Sequence, residues 1–444
     1  MLMPKKQFSW GAVLIIGAAA LLLVLLIPGL RSRAEGVWLR LRAAIFPVNE
    51  QVFIPAGTTT PLPIPTAQIL LPDSPRPTAS PTPTPTILFT PTPQTIPPTA
   101  TPTPTALPPS VQLSGLTYQT QHGYWNYCAP ANLFMALSYW GWQGKVTDIA
   151  EAIKPGQWDK NVMPYELTDY VVSTTNLSIV VRSGGNIALL KTLVAAGFPV
   201  IIEKGVILED LCTGGNSWMG HYQTIIGYND ASQVIIAMDS YTASKEKPTV
   251  AEGYDTLQDD WRAFNYIFMV IYPPEREAEL MSLLGPYADP AESDRIAAEI
   301  AAEEAATLQG RQRFFALFNR GTSLYRQGDY GNAALAYDEA FRLYAELPKP
   351  RPHRMMWYQT GPYFAYFNTG RFQDVIDLAT TTLSGVCTSS YSKPGLEESW
   401  IWRARAQAAL GNTDAAVSDL RQALEYHPNY GPALDLAAQL GVQP

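Results

Sequence analysis

A thiol does chemistry when it ionises, and the segment Gln119–Trp142 (QTQHGYWNYCAPANLFMALSYWGW) places Cys128 where that is favoured. Apolar residues run with helical spacing from Ala129 to Trp140 and stop at Gly141, so Cys128 stands at the start of a predicted helix. The free N–H groups and dipole at a helix N-terminus lower a thiol's pKa, and the thiolate is the nucleophile. Pro130 fits the first turn, where no amide donor is needed. A lone cysteine is more often an inert buried side chain, so the reading depends on what accompanies it.

Three further residue types supply what a nucleophilic cysteine needs. Gln121 and Gln119 lie just upstream. A side-chain amide there can donate to a developing oxyanion together with the Cys128 N–H. His221 opens a strand-like run in GHYQTIIGYNDASQVIIAMDS, and imidazole shares a proton near neutral pH. Asp239 ends the next run, and a hairpin between the two returns it beside His221. A carboxylate there holds the imidazole tautomer. Asp230 is the local competitor, but it falls in the expected hairpin turn with Asn229.

The elements that must position these groups are legible as short apolar runs. LSIVV, FPVIIEK, YQTIIGY, QVIIAMDS and YIFMVIYP, bounded by Gly, Asn and Asp, read as strands. Helices are expected from about Ala129 to Trp140, Pro164 to Ser173 and Asn186 to Ala196, the last closed by Gly197. Helix first and sheet afterwards is an α+β pattern.

In order along the chain, Gln121, Cys128-Ala-Pro-Ala, Gly220-His221-Tyr222 and Asp239-Ser240 resemble the C39-like branch of papain-fold cysteine peptidases. Trp261-Arg-Ala-Phe-Asn and the closing run IFMVIYP are similar to that family's end. The resemblance spans about 111 to 274. It implies peptide-bond hydrolysis by a Cys128, His221, Asp239 triad with a glutamine oxyanion donor, Gln121 or Gln119. Ala129 stands where the family usually has Gly, and no phosphate-binding G-x-x-x-x-G-K-[ST] follows. A catalytically silent scaffold and an acyl transferase are the competing readings.

The other segments bear on where such a domain works. Phe8–Ile27 is an uncharged apolar run of bilayer-spanning length, flanked by Lys5, Lys6, Arg31 and Arg33. It is expected to be a single transmembrane anchor within 1–30. From about Thr58 to Pro109 the chain is dominated by Pro and Thr, which permits neither helix nor sheet. Residues 31–110 therefore read as juxtamembrane segment and disordered stalk, an extended spacer up to about 150 Å long. A connecting helix is expected over 275–310. Over 311–444, Gly328, Gly370 and Gly411 recur about every 41 residues between amphipathic stretches, longer than a 34-residue repeat. This region resembles a tetratricopeptide array, an all-α repeat domain whose relatives bind peptides or proteins. The fold class expected is thus an α+β papain-like domain plus all-α repeats, behind an anchor and stalk.

Composition narrows the partners. A net charge of −8 without a clustered basic face points away from nucleic acid. The three cysteines, Cys128, Cys212 and Cys387, allow at most one intrachain bridge. No Cys or His pair has zinc-site spacing, so no metal or cofactor is expected. The expected partners are a peptide or protein substrate, a protein on the repeats and a membrane at the N-terminus, with the C-terminal domains outside the cell.

Overall fold

The computed structural model describes residues 52–56, 106–124, 126–156, 158–210, 215–387 and 393–443. The apolar run Phe8–Ile27 and most of the Pro/Thr tract lie outside these residues. No helix among the described residues is long and apolar enough to cross a membrane.

One antiparallel sheet organises the N-terminal half. Its strands are β1 (Ser110–Gln112), β2 (Ser178–Arg182), β3 (Val200–Asp210), β4 (Gly215–Asn229), β5 (Val234–Met238), β6 (Thr249–Gly253) and β7 (Phe268–Tyr272). Their order is β2-β7-β3-β4-β5-β6, and β1 pairs with β4 beyond the end of β3. Alternation sorts the side chains between two faces. Ile201, Met269 and Ile271 pack with the first three helices, α1 (Cys128–Tyr139), α2 (Val146–Ile153) and α3 (Pro164–Thr174). Val200, Ile202, Phe268 and Val270 face the other way, towards α4 (Ile187–Ala195), α5 (Tyr254–Arg262) and α6 (Glu277–Leu284). Helices therefore cover both faces, and the α+β expectation gains α2 and α5. β1 and β6 are also additions, because neither is an apolar run. β4 begins at Gly215, so His221 sits inside the strand rather than at its start. The segment GNSWMG has no apolar alternation and joins the sheet by pairing with the outer half of β3.

The rest is helical. After α7 (Pro290–Thr307) come three helical hairpins: α8 (Gly310–Arg326) with α9 (Tyr330–Glu346), α11 (Gly361–Asn368) with α12 (Phe372–Ser384), and α13 (Glu397–Ala409) with α14 (Thr413–Tyr426). A short α10 (Met355–Tyr358) precedes the second, and α15 (Gly431–Leu440) closes the array. Gly328, Gly370 and Gly411 sit in the three hairpin turns with φ of 82°, 75° and 83°, the left-handed region where a helix commonly ends on glycine. The first two hairpins share one aromatic core with Trp218 and Phe264 of the sheet domain.

Residues 52–56 (VFIPA) depart from the stalk reading. Phe53 is buried against Phe341, with ring centroids 5.1 Å apart. The Ala56 N–H donates to Asp374 Oδ1 at 3.1 Å. An apolar side chain among prolines finds a groove between helices, which a uniform spacer has no means to fill. The Pro/Thr tract therefore runs between two docked points, Ala56 on the repeats and Ser110 in the sheet.

Candidate functional site

The site forms where the start of α1 meets the middle of β4. Asn132, one turn into α1 and fully buried, holds the two together. Its Nδ2 donates to Cys128 O at 2.9 Å and to Tyr222 O at 2.8 Å, and its Oδ1 accepts from Thr224 Oγ1 at 2.9 Å. Cys128 is the first residue of the helix, half-buried, and the free thiol among the described cysteines. Its thiolate is favoured by His221 and by the main-chain N–H groups of Tyr222 and Ala129. Burial pushes the thiol up, but those partners outweigh it and hold Cys128 below its ordinary value.

His221 and Asp239 face each other across the β4–β5 hairpin, which pairs Thr224 with Met238 and so brings the residue after β5 alongside His221. His221 Nε2 lies 3.0 Å from Asp239 Oδ2, and both residues are buried. That contact leaves Nδ1 to face the thiol. Burial disfavours the imidazolium, yet the Asp239 charge, their hydrogen bond and Cys128 raise His221 to about 10. Burial likewise penalises the Asp239 carboxylate, and it is held far below its ordinary value by His221 and by two main-chain donors. These are the N–H groups of Thr242 and Tyr241, at 2.7 and 2.8 Å from Oδ1. Gln223 Nε2 adds a fourth bond, to Oδ2 at 2.9 Å.

The two glutamines differ. Gln119 Nε2 donates to Thr120 O at 2.8 Å. Gln121 instead has its Oε1 held by Ser240 Oγ at 2.7 Å, and its main-chain N–H donates to Ser240 O at 2.9 Å. Fixing the carbonyl end leaves the Gln121 amide hydrogens for another acceptor. Asp230 lies away from the site, paired with Lys191 at 2.6 Å and Tyr254 at 2.7 Å.

Sequence reasoning missed Asn132, Gln223 and Ser240, whose partners lie far along the chain. The doublet Asp239-Ser240 was the available signal for Ser240. Gly220, just before His221, is closely packed. A Cβ there would stand 2.7 Å from Phe264 Cζ and 3.0 Å from Tyr358 Cδ2. A residue of the helical half thus borders the strand that carries His221. A cavity of about 300 Å³ touches His221, Gln223 and Asp239, with Lys204 and Glu252 paired in its wall. Cys128 is not among the residues that line it.

Comparison with known proteins follows the same division. The Peptidase_C39 like family model matches residues 107–268, and a tetratricopeptide repeat model matches 398–430. No curated protein matches the chain. Among solved structures, a protein described as a C39-like peptidase from Bacillus anthracis is 18% identical with a TM-score of 0.29, covering 36% of this chain and 96% of its own. Xylellain, a cysteine protease from Xylella fastidiosa, is 14% identical with a TM-score of 0.28, covering 38% and 87%. The match to the C39-like family model thus falls on the sheet-containing half, and the match to a tetratricopeptide repeat falls on the last helical hairpin.

Proposed function

We propose that the chain is a cysteine peptidase in which Cys128 attacks the scissile carbonyl, His221 moves the proton and Asp239 orients the imidazole. The observation that carries this is His221 lying between a free thiol and a buried carboxylate, with Asp239 Oδ2 at 3.0 Å. The thiol proton passes to His221 Nδ1, and the thiolate forms a tetrahedral adduct with the carbonyl carbon. The Cys128 N–H and the Gln121 amide donate to the oxyanion. His221 then protonates the leaving amine, and water hydrolyses the thioester with His221 as base. An epoxide or iodoacetamide probe should label Cys128 in the native chain, and Cys128→Ala should abolish cleavage of a peptide library. Labelling no faster than in the denatured chain defeats the assignment.

Phe8–Ile27 serves as a single-span anchor in this reading, and the repeats recruit the substrate or a partner protein. The extracytoplasmic side is supported by Cys387, which is disulfide-bonded, since such bridges persist in oxidising compartments. Protease shaving of intact cells tests it: loss of the C-terminal domains is expected, and full protection contradicts it.

A further inference from the structure

Where the C39-like domain meets the last helical hairpin, main chain touches main chain. Asp159 and Gly395 form a parallel bridge, and Lys160 N donates to Gly395 O at 2.9 Å. The contact leaves no room for side chains between them. A Cβ on Gly395 would stand 2.1 Å from Trp158 O, and one on Gly156 1.7 Å from Tyr426 O.

Three ligand-type side chains converge in this contact. Asp159 comes from the loop after α2, Glu397 from the first turn of α13, and His427 from the end of α14. One donor atom from each lies within 4.8 Å of the others. His427 Nδ1 is 3.2 Å from Glu397 Oε1 and 4.0 Å from Asp159 Oδ2. Asp159 and Glu397 are 0% exposed.

Several polar atoms here find no partner in the protein. Asp159 Oδ2, Glu397 Oε2 and Asn161 Oδ1 are buried acceptors without a donor. Asn161 is 3% exposed, its N–H donates to Asp159 Oδ1 at 3.2 Å, and its carboxamide faces Glu398. Leaving a buried acceptor unpaired costs about 1–3 kcal/mol, more when it is charged. Lys154 is a neighbouring cation, but its Nζ donates to the Asp159 main-chain oxygen at 2.6 Å. Glu166 and Glu398 also face the cluster, which gathers four carboxylates, and Lys160 lies near Asp159 as well as Lys154.

We infer that Asp159, Glu397 and His427 form a binding site for a divalent cation of the zinc type, which ties the C39-like domain to the repeats. Ligand bonds of about 2.0–2.1 Å in tetrahedral geometry place donor atoms about 3.3 Å apart. The His427–Glu397 separation already meets this, and the 4.0 Å between His427 Nδ1 and Asp159 Oδ2 must close by about 0.7 Å. One imidazole and two carboxylates suit zinc, whereas calcium and magnesium prefer all-oxygen sets. Asn161 Oδ1 or water completes the shell.

The test uses the full chain carrying Cys128→Ala, which removes the free thiol as a competing ligand. The protein is stripped with chelator and dialysed against zinc, and its metal content is measured alongside thermal melts in zinc, calcium and chelator. About one zinc per chain is expected, with Tm raised by zinc and not by calcium. His427→Gln and Glu397→Gln should each weaken zinc binding at least about tenfold, the scale on which even outer partners of a metal act. Both should abolish the zinc-dependent shift while melting cooperatively in chelator. If either fails to fold, Asp159→Asn makes the same comparison. Substoichiometric zinc, a shift that calcium reproduces, or one that survives the substitutions overturns the site and leaves proton uptake to neutralise the cluster.

Discussion

Asp239 holds His221 through one oxygen and is itself held by four donors, so the imidazole is fixed by a carboxylate that cannot swing away. Its Oδ2 takes His221 Nε2 at 3.0 Å and Gln223 at 2.9 Å, and its Oδ1 takes two main-chain N–H groups. Asp239→Asn keeps the shape but favours the wrong tautomer. The expected result is a fall in kcat on the order of 10²–10⁴-fold with KM little changed. Gln223→Ala should cost much less, because three donors to Asp239 remain. Steady-state kinetics on a cleaved peptide checks both.

The thiol–imidazole pair sets a pH dependence. Cys128 lies below its ordinary 9.0 because His221 and two main-chain donors overcome burial. Alkylation of the native chain should therefore persist at pH values where the denatured chain has stopped reacting. In His221→Gln the upward push of burial is left, so the alkylation midpoint should rise. His221 is raised from 6.5 to about 10, so its charged form stabilises the fold. That contribution is complete below pH 6.5 and is lost as pH climbs through about 10. Melting temperatures of wild type and His221→Gln should accordingly converge over that window.

Gln121 and Gln119 give opposite expectations. Gln121→Ala removes an amide whose carbonyl end Ser240 has already oriented. A loss of about 10²–10³-fold in kcat is expected for an oxyanion donor. Gln119→Ala breaks only a local bond to Thr120 and should leave kcat near the wild-type value. Equal losses in the two variants would remove Gln121 from the assigned role.

Gly220→Ala tests the seam between strand and helices. The added methyl meets Phe264 at 2.7 Å and Tyr358 at 3.0 Å. Overpacking of this kind costs about 1–3 kcal/mol, read as a lower denaturant midpoint. The paired substitution Tyr358→Ala should recover part of that loss.

Cys387→Ser should lower stability by about 2–4 kcal/mol, the usual contribution of a bridge, while leaving Cys128 labelling intact. Without reductant, native protein should show one reactive thiol. Strong reductant should reproduce the destabilisation in the parent and add nothing in the variant.

Much of the fold was readable because its signals are local. α1, α3, α4 and the apolar cores of β3, β4, β5 and β7 show their periods within ten residues or so. The three turn glycines show the helical hairpins. Cys128, His221 and Asp239 were readable from residue type and order on those elements. Asn132, Gln223 and Ser240 were not, because a buried amide or hydroxyl declares itself only once its distant partner is placed. Asp159, Glu397 and His427 follow the same rule, since folding brings them together from three separate elements. Spacing rules that look for neighbouring ligands pass over such a set. The outer half of β4 was missed for another reason: its pairing with β3 replaces the apolar alternation that marks an ordinary strand.

Phe53 and Ala56 sit on the repeats, while β1 enters the sheet at Ser110, so the chain is held on both sides of the Pro/Thr tract. The tract's length cannot set how far the catalytic half stands from anything attached upstream. Between the apolar run ending at Ile27 and Val52 there are 24 residues, about half as many as in the tract. A cut within the tract would leave the upstream piece held by the Phe53 socket, so shedding would require cleavage ahead of it or loss of that grip.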